Sequence, residues 1–431
     1  MSLGIRMLFR ALRFRNFRLF VAGQGISLVG TWMQQVAMSW LIYRITGSAL
    51  LLGLIGFTSN APSLILTPVA GVLADRWDRR RLLMATQVVA MLQAAALAAA
   101  VLTNVVQVWQ IISLSLLLGV VNAFEMPVRQ SFVVEMVDNR EDLGNAIALN
   151  STLFNAARLV GPSLAGVVVA VAGEGVCFLV NSLSFLGVLA ALAAMRLSPR
   201  EERPERRHVL HELRAGFSYA FGFGPIRSII LLVALISLLG MPYTVLMPVF
   251  ARDILHGGAR TYGLLMAASG CGALVSTLYL ASRKSVLGLG RIITVGAVLF
   301  ALGLAGCALS SSLLVSFASL SLAGFGVMAV YASCNTVLQT IVVEEMRGRV
   351  MSFHAVAING IIPLGSLLAG SLSVSIGARQ TLLLGSLSCL TGAVIFWRHL
   401  PKIRDKVRPI YHRKGILPRM ADSIGDRIET T

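Results

Sequence analysis

Charge is what this chain has least of: 13% of its 431 residues are Asp, Glu, Lys or Arg, about half the share of a soluble domain. That excludes an ordinary water-soluble globule. The five cysteines (Cys177, Cys271, Cys307, Cys334, Cys389) all fall in apolar runs, and the sequence has no CxxC and no histidine cluster at metal spacing. Neither a disulfide framework nor a metal site is expected. No phosphate-cradling GxxxxGK[ST] occurs, so ATP is not the expected energy source. No nucleophile–base constellation appears at membrane depth, so the chain does not read as an enzyme.

What is present is apolar length. Hydrophobic residues make up 56% of the chain, and a helix needs about 20 of them in a row to cross a bilayer. Long runs with polar gaps predict twelve spans near residues 17–43, 50–74, 82–103, 107–126, 143–172, 175–195, 226–251, 261–282, 288–309, 312–338, 348–374 and 379–398. The fold class is all-α and polytopic. The first apolar run is too long for a signal-peptide core and reads as span one.

The formal charge of +18 would suggest nucleic acid in a soluble protein. Its distribution argues otherwise. On the span map, 32 of the 37 Lys and Arg fall on one side and only Arg44, Arg252, Arg260 and Arg379 on the other, with Arg158 inside a span. The positive-inside rule puts both termini in the cytoplasm. No nucleic-acid partner is expected; membrane lipids and a small-molecule substrate are, with the chain a monomer.

The polar stretch 196–225 separates residues 1–195 from 226–399, six spans each, with 400–431 as a cytoplasmic tail. Within it Val209, Leu210, Leu213, Phe217 and Phe221 recur at helical spacing, which reads as a basic amphipathic helix on the cytoplasmic surface or as a solvated linker. The halves also repeat. A displacement of 204 positions places VGPSLAG (160–166) on LGSLLAG (364–370), Gly173 on Gly377 and Asn155 on Asn359. Duplicated six-helix halves are a transporter architecture with the substrate path between them.

The loop GVLADRWDRRR (71–81) resembles the signature of the major facilitator superfamily, with Gly71, Asp75, Arg76, Arg79 and Arg80 matching and Asp78 replacing a glycine. The resemblance implies a cytoplasmic latch that tunes the inward/outward equilibrium, and gives Glu125, taken to sit at the cytoplasmic end of span four, as the partner of Arg79. The plainer alternatives are a positive-inside anchor and an interfacial carboxylate. ARLVGPSLAG resembles the exporter motif of span five: Gly161, Pro162 and Gly166 match, with Ala157 and Ala165 in place of glycines. Together with FRNFRLF and GTWMQQVAMSWLIYRITGSALLLGLIGF, these segments look like the branch that holds the enterobactin exporter and macrolide efflux proteins, over essentially the whole chain to about residue 400.

Arg158 is the one charge near the middle of a span, and an unpaired arginine there must face a cavity or a partner. It reads as an anchor for an anionic or polar substrate, or as a structural residue bonded to groups such as Asn155. Gln24, Trp32, Gln34, Gln35 and Trp40 make span one polar and suited to a wide cavity, to which Asn60, Asn150, Asn155, Tyr243, Tyr331, Asn335, Gln339 and Asn359 could add; each could equally be helix–helix glue. With no carboxylate at a midplane, Glu125 and His354 are the candidate proton carriers. The expected function is export of a small amphipathic compound, siderophore-like or drug-like, across the bacterial inner membrane by proton-driven alternating access, without a bound cofactor. The alternatives are an importer or phospholipid or lysophospholipid flippase of the same fold, and, in another class, a membrane-embedded binding or scaffold protein.

Overall fold

The computed structural model describes residues 10–137, 140–196, 209–283 and 285–417; within these helices, the side chains of 68–69, 71–76, 134, 140–141 and 209–215 lie outside the description. Among the described residues there is no β-strand. Eleven helices among the described residues are long and apolar enough to cross a membrane. The twelfth is span one, Arg15–Thr46, whose buried Gln24 and Gln34 lower its hydropathy but which packs against spans five and six.

The further spans are two (Ala49–Thr58 and Ala61–Arg76), three (Arg79–Leu102), four (Val108–Glu135), five (Arg140–Ala172), six (Glu174–Ala194), seven (Gly224–Ile254), eight (Ala259–Ala281), nine (Leu289–Leu309), ten (Leu313–Ile341), eleven (Glu344–Ile376) and twelve (Ala378–Arg413). The last helix therefore runs 36 residues and takes up the start of the expected tail. Within the first half, span three packs on spans four and six; within the second, span nine packs on spans ten and twelve.

The repeat is visible in the backbone. Gly173 (φ 83°, ψ 170°) and its counterpart Gly377 (φ 86°, ψ 158°) both turn the chain between consecutive spans, in a region open essentially only to glycine. Spans five and eight form one seam between the halves, and spans two and eleven the other. Both seams close on glycine. A Cβ at Gly263 would lie 2.6 Å from the Pro162 carbonyl oxygen and 2.7 Å from Gly166 Cα, and one at Gly53 would lie 2.6 Å from the Ser366 oxygen and 3.0 Å from Gly370 Cα. Without a hydrophobic drive between helices in lipid, this close backbone approach supplies the packing.

Two helices depart from regular α-geometry. Span seven has π-turns at Ile236–Gly240 and Phe250–Ile254, and span eleven has one at Val356–Gly360. Such turns often mark functional positions; these flank Tyr243, carry Arg252 and Asp253, and carry Asn359. The linker helix, Val209–Gly222, does not lie free: Phe217 stacks on Phe221 (4.4 Å) and meets Phe353 of span eleven edge-on (6.0 Å).

Candidate functional site

Arg158 is residue 19 of the 33 in span five, so helix rise puts it about 21 Å from the Ala172 end and about 27 Å from the other. Its guanidinium lies 5.8 Å from the Trp32 ring of span one and interacts with the Tyr243 hydroxyl of span seven; Tyr331 of span ten also feels its charge. No carboxylate pairs with it among the described residues. The tyrosines are held from behind, Tyr243 by Ser269 (2.6 Å) and Tyr331 by Ser237 (2.8 Å). Phe154 extends the aromatic wall, edge-on to Trp32 at 5.8 Å. The result is a half-buried cation, walled by aromatic rings from both halves, with donors to spare for an anionic or polar group.

At the end opposite the termini the halves are joined. Tyr43 donates to Asp253, and Arg252 donates to the Tyr43 carbonyl oxygen (3.3 Å) while lying 5.7 Å from the Tyr43 ring. Trp40 stacks on Tyr262 at 6.3 Å. At the basic end the described ion pairs Arg79–Glu135, Arg129–Glu125, Arg10–Asp142 and Arg347–Glu344 each stay within one half.

The ion pairs around the signature loop differ from those expected. Span four continues ten residues beyond Glu125 because Pro127 is accommodated inside the helix instead of ending it. The acid at the helix end is Glu135, and it takes Arg79 (2.8 Å), while Glu125 pairs with Arg129 one turn on (3.2 Å), both side chains largely buried. Arg80 donates to the Ala193 carbonyl oxygen of span six (2.8 Å). Asp78, which departs from the signature, caps span three by accepting from the Arg81 amide (2.9 Å). Gly71, Asp75 and Arg76 lie at the end of span two, but their side chains are outside the described set.

The expected cavity residues fall in several settings. Gln34 is buried in a relay inside the first half: Asn181 donates to its oxygen (2.7 Å), it donates to Gln93 (2.8 Å), and Gln93 donates to the Leu114 carbonyl oxygen (3.2 Å). It is glue, not cavity lining. Gln24 is buried too, its oxygen without a partner. Asn155 bonds its own helix at the Ser151 oxygen (2.9 Å), not Arg158, and Asn335 accepts from Gln339 (3.3 Å). Gln35 and Asn359 are exposed. His354 is buried, with Nε2 unpartnered.

Residues 8–416 match the family model described as transmembrane secretion effector. The chain belongs to this family of the major facilitator superfamily. It is 26% identical to the staphyloferrin A transporter of Staphylococcus aureus (91% of this chain, 98% of that protein), 26% identical to the multidrug efflux pump Tap of Mycolicibacterium fortuitum (89% and 93%), and 21% identical to macrolide efflux protein A of Streptococcus pyogenes (87% and 93%). Its fold matches a bacterial homologue of the human lysosomal transporter Spinster, solved inward-facing and occupied, with TM-score 0.71 at 14% identity over 90% of this chain and 97% of that one. The protein is thus a multi-pass membrane transporter and not an enzyme.

Within this transporter the exporter-motif residues sit where the halves and the Arg158 site meet. A Cβ at Gly161 would lie 2.5 Å from Trp32 Cβ, so this glycine seats span five on span one beside the ring that faces Arg158. Pro162 and Gly166 form the seam with Gly263. Sequence reading missed Tyr43, Arg252 and Asp253, and with them Glu135, Asp142 and Glu174; in a chain with only 19 acids, each acid at a span end was itself a signal.

Proposed function

We propose that this transporter exports a small amphipathic compound, siderophore-like or drug-like and bearing an anionic or polar group, from the cytoplasm across the bacterial inner membrane. The observation that carries the reading is Arg158: a mid-span cation with no carboxylate partner among the described residues, flanked by Trp32 of one half and Tyr243 of the other. A group bound there touches both halves, so binding can be coupled to their relative movement. The efflux names of the relatives support export, and the basic excess supports cytoplasmic termini. The seam at the opposite end then closes the outer side. The chain works as a monomer.

The proton gradient is the energy source in this reading. Glu125 is the preferred carrier: a largely buried acid ten residues, about 15 Å, from the end of its helix, held by a basic neighbour that protonation would release. Buried His354 is the second candidate.

The test is uptake into everted vesicles, with staphyloferrin A and a macrolide as probes and an uncoupler as control. Arg158→Ala should abolish uptake of the anionic probe while folded protein is unchanged by size-exclusion profile; Arg158→Lys should keep part of it. Full transport by Arg158→Ala would refute the assignment.

A further inference from the structure

At the basic end of the second half, a cavity of about 140 Å³ lies between the end of span eight and spans nine and ten, with Arg283, Ser285, Ser333 and Thr336 as its polar lining. Its donors are not used up. Arg283 donates through its two terminal nitrogens to the Leu287 carbonyl oxygen (2.8 Å) and the Tyr279 hydroxyl (3.4 Å), leaving its buried Nε without a partner. Ser333, 1% exposed, has a hydroxyl with no partner at all. The Ser285 hydroxyl accepts from the Leu287 amide (3.1 Å), and its own proton remains available.

No carboxylate lines the cavity. Residues 254–343 contain neither Asp nor Glu, yet hold Arg260, Arg283, Lys284 and Arg291. The topologically equivalent loop of the first half differs: there Arg79 meets Glu135 of span four, whereas Arg283 faces Ser333 and Thr336 of span ten. Buried donors around an uncompensated guanidinium are costly unless an anion completes them. At about 30 Å³ per water, the cavity has room for a tetrahedral oxyanion.

We propose that this cavity binds a phosphate oxyanion, supplied by the headgroup of an anionic phospholipid. The surroundings favour a lipid over free phosphate: Leu278, Tyr279 and Leu287 beside the cavity are 63%, 44% and 37% exposed, an apolar surface suited to acyl chains with a tyrosine at headgroup level. A zwitterionic headgroup would bring its own cation towards Arg283, so a net negative lipid is selected.

The experiment uses the full chain purified in detergent, titrated separately with phosphatidylglycerol, phosphatidylcholine and inorganic phosphate, with the unfolding temperature and native mass spectrometry as readouts. Phosphatidylglycerol should raise the unfolding temperature and stay bound. Arg283→Gln should weaken its binding about ten-fold or more, as expected for losing a charged hydrogen-bond donor. Ser333→Ala should weaken it less, and Arg291→Gln, exposed on span nine, should leave it unchanged. Unaltered binding in both Arg283→Gln and Ser333→Ala would overturn the site; equal stabilisation by phosphatidylcholine, or by inorganic phosphate at the same concentration, would overturn the assignment to an anionic lipid.

Discussion

Gly263→Ala tests the seam that closes one end of the transporter. The added Cβ would lie 2.6 Å from the Pro162 carbonyl oxygen and 2.7 Å from Gly166 Cα. Ordinary contact needs about 3.4 Å and both obstacles are backbone, so spans five and eight must part by roughly 0.7 Å. Overpacking of this kind costs about 1–3 kcal/mol. In alternating access the cost falls mainly on the state drawn here, since the two spans separate at this end when it opens. About 1.4 kcal/mol is a ten-fold change in an equilibrium, so the population should move about ten-fold towards the state open at this end. Spin labels at Val105 and Leu314, exposed on opposite halves near this end, should report a longer distance by double electron–electron resonance. An unchanged distance distribution in folded Gly263→Ala would refute the seam as the closing element.

Tyr43→Phe removes the hydroxyl that donates to Asp253; with Asp253 half-exposed the loss is about 1 kcal/mol, so the same label pair should shift about five-fold in population, and no shift would sink the gate. Gln34→Ala strands Asn181 and Gln93 in the first half and should cost about 1–2 kcal/mol, read as a lower unfolding temperature in detergent with transport otherwise intact; unchanged stability would contradict the relay. For the latch, Arg79→Gln and Glu135→Gln should each alter cysteine accessibility at the basic end, and the double variant should add little to either. Additive effects would mean that the pair does not act as a unit.

The span map was readable because length and apolarity are local properties, and Gly173 and Gly377 were placed as counterparts by spacing alone. The ion pairs were not. The span map ends span four at residue 126, which makes Glu125 the terminal acid; in the folded protein the helix takes in Pro127 and carries on to Glu135. Rotation about the helix axis was equally hidden. Spans that are apolar on most faces give little hint of which side meets the interior, so Gln34, on a polar-looking stripe with Gln35, could not be told from a cavity residue; in the structure one is buried and the other exposed. Tyr43 and Asp253 lie 210 positions apart, and only the stacking of one half on the other brings them together. Arg158 stood out in the sequence because a charge in an apolar run has no cheap explanation.

The scarce acids show how the transporter is divided. In the first half Asp142 holds Arg10 and Arg13, Glu135 holds Arg79, Glu125 holds Arg129, and Glu174 takes Arg44 through both carboxylate oxygens (2.7 and 3.2 Å). Three of these acids tie span ends to neighbouring elements of their own half at both membrane faces, Glu125–Arg129 being a pair within span four, and breaking any of them would strand a largely buried carboxylate. Among the described residues the contacts between the halves are of another kind: glycine seams, the Trp40–Tyr262 stack, and the Tyr43 cluster around half-exposed Arg252 and Asp253. Side chains exposed on one face can exchange protein partners for water at small cost, whereas the pairs inside the first half cannot. The charge distribution therefore stiffens the first half and leaves the boundary between the halves yielding, which is the mechanical condition that the transport proposed for a solute at Arg158 needs.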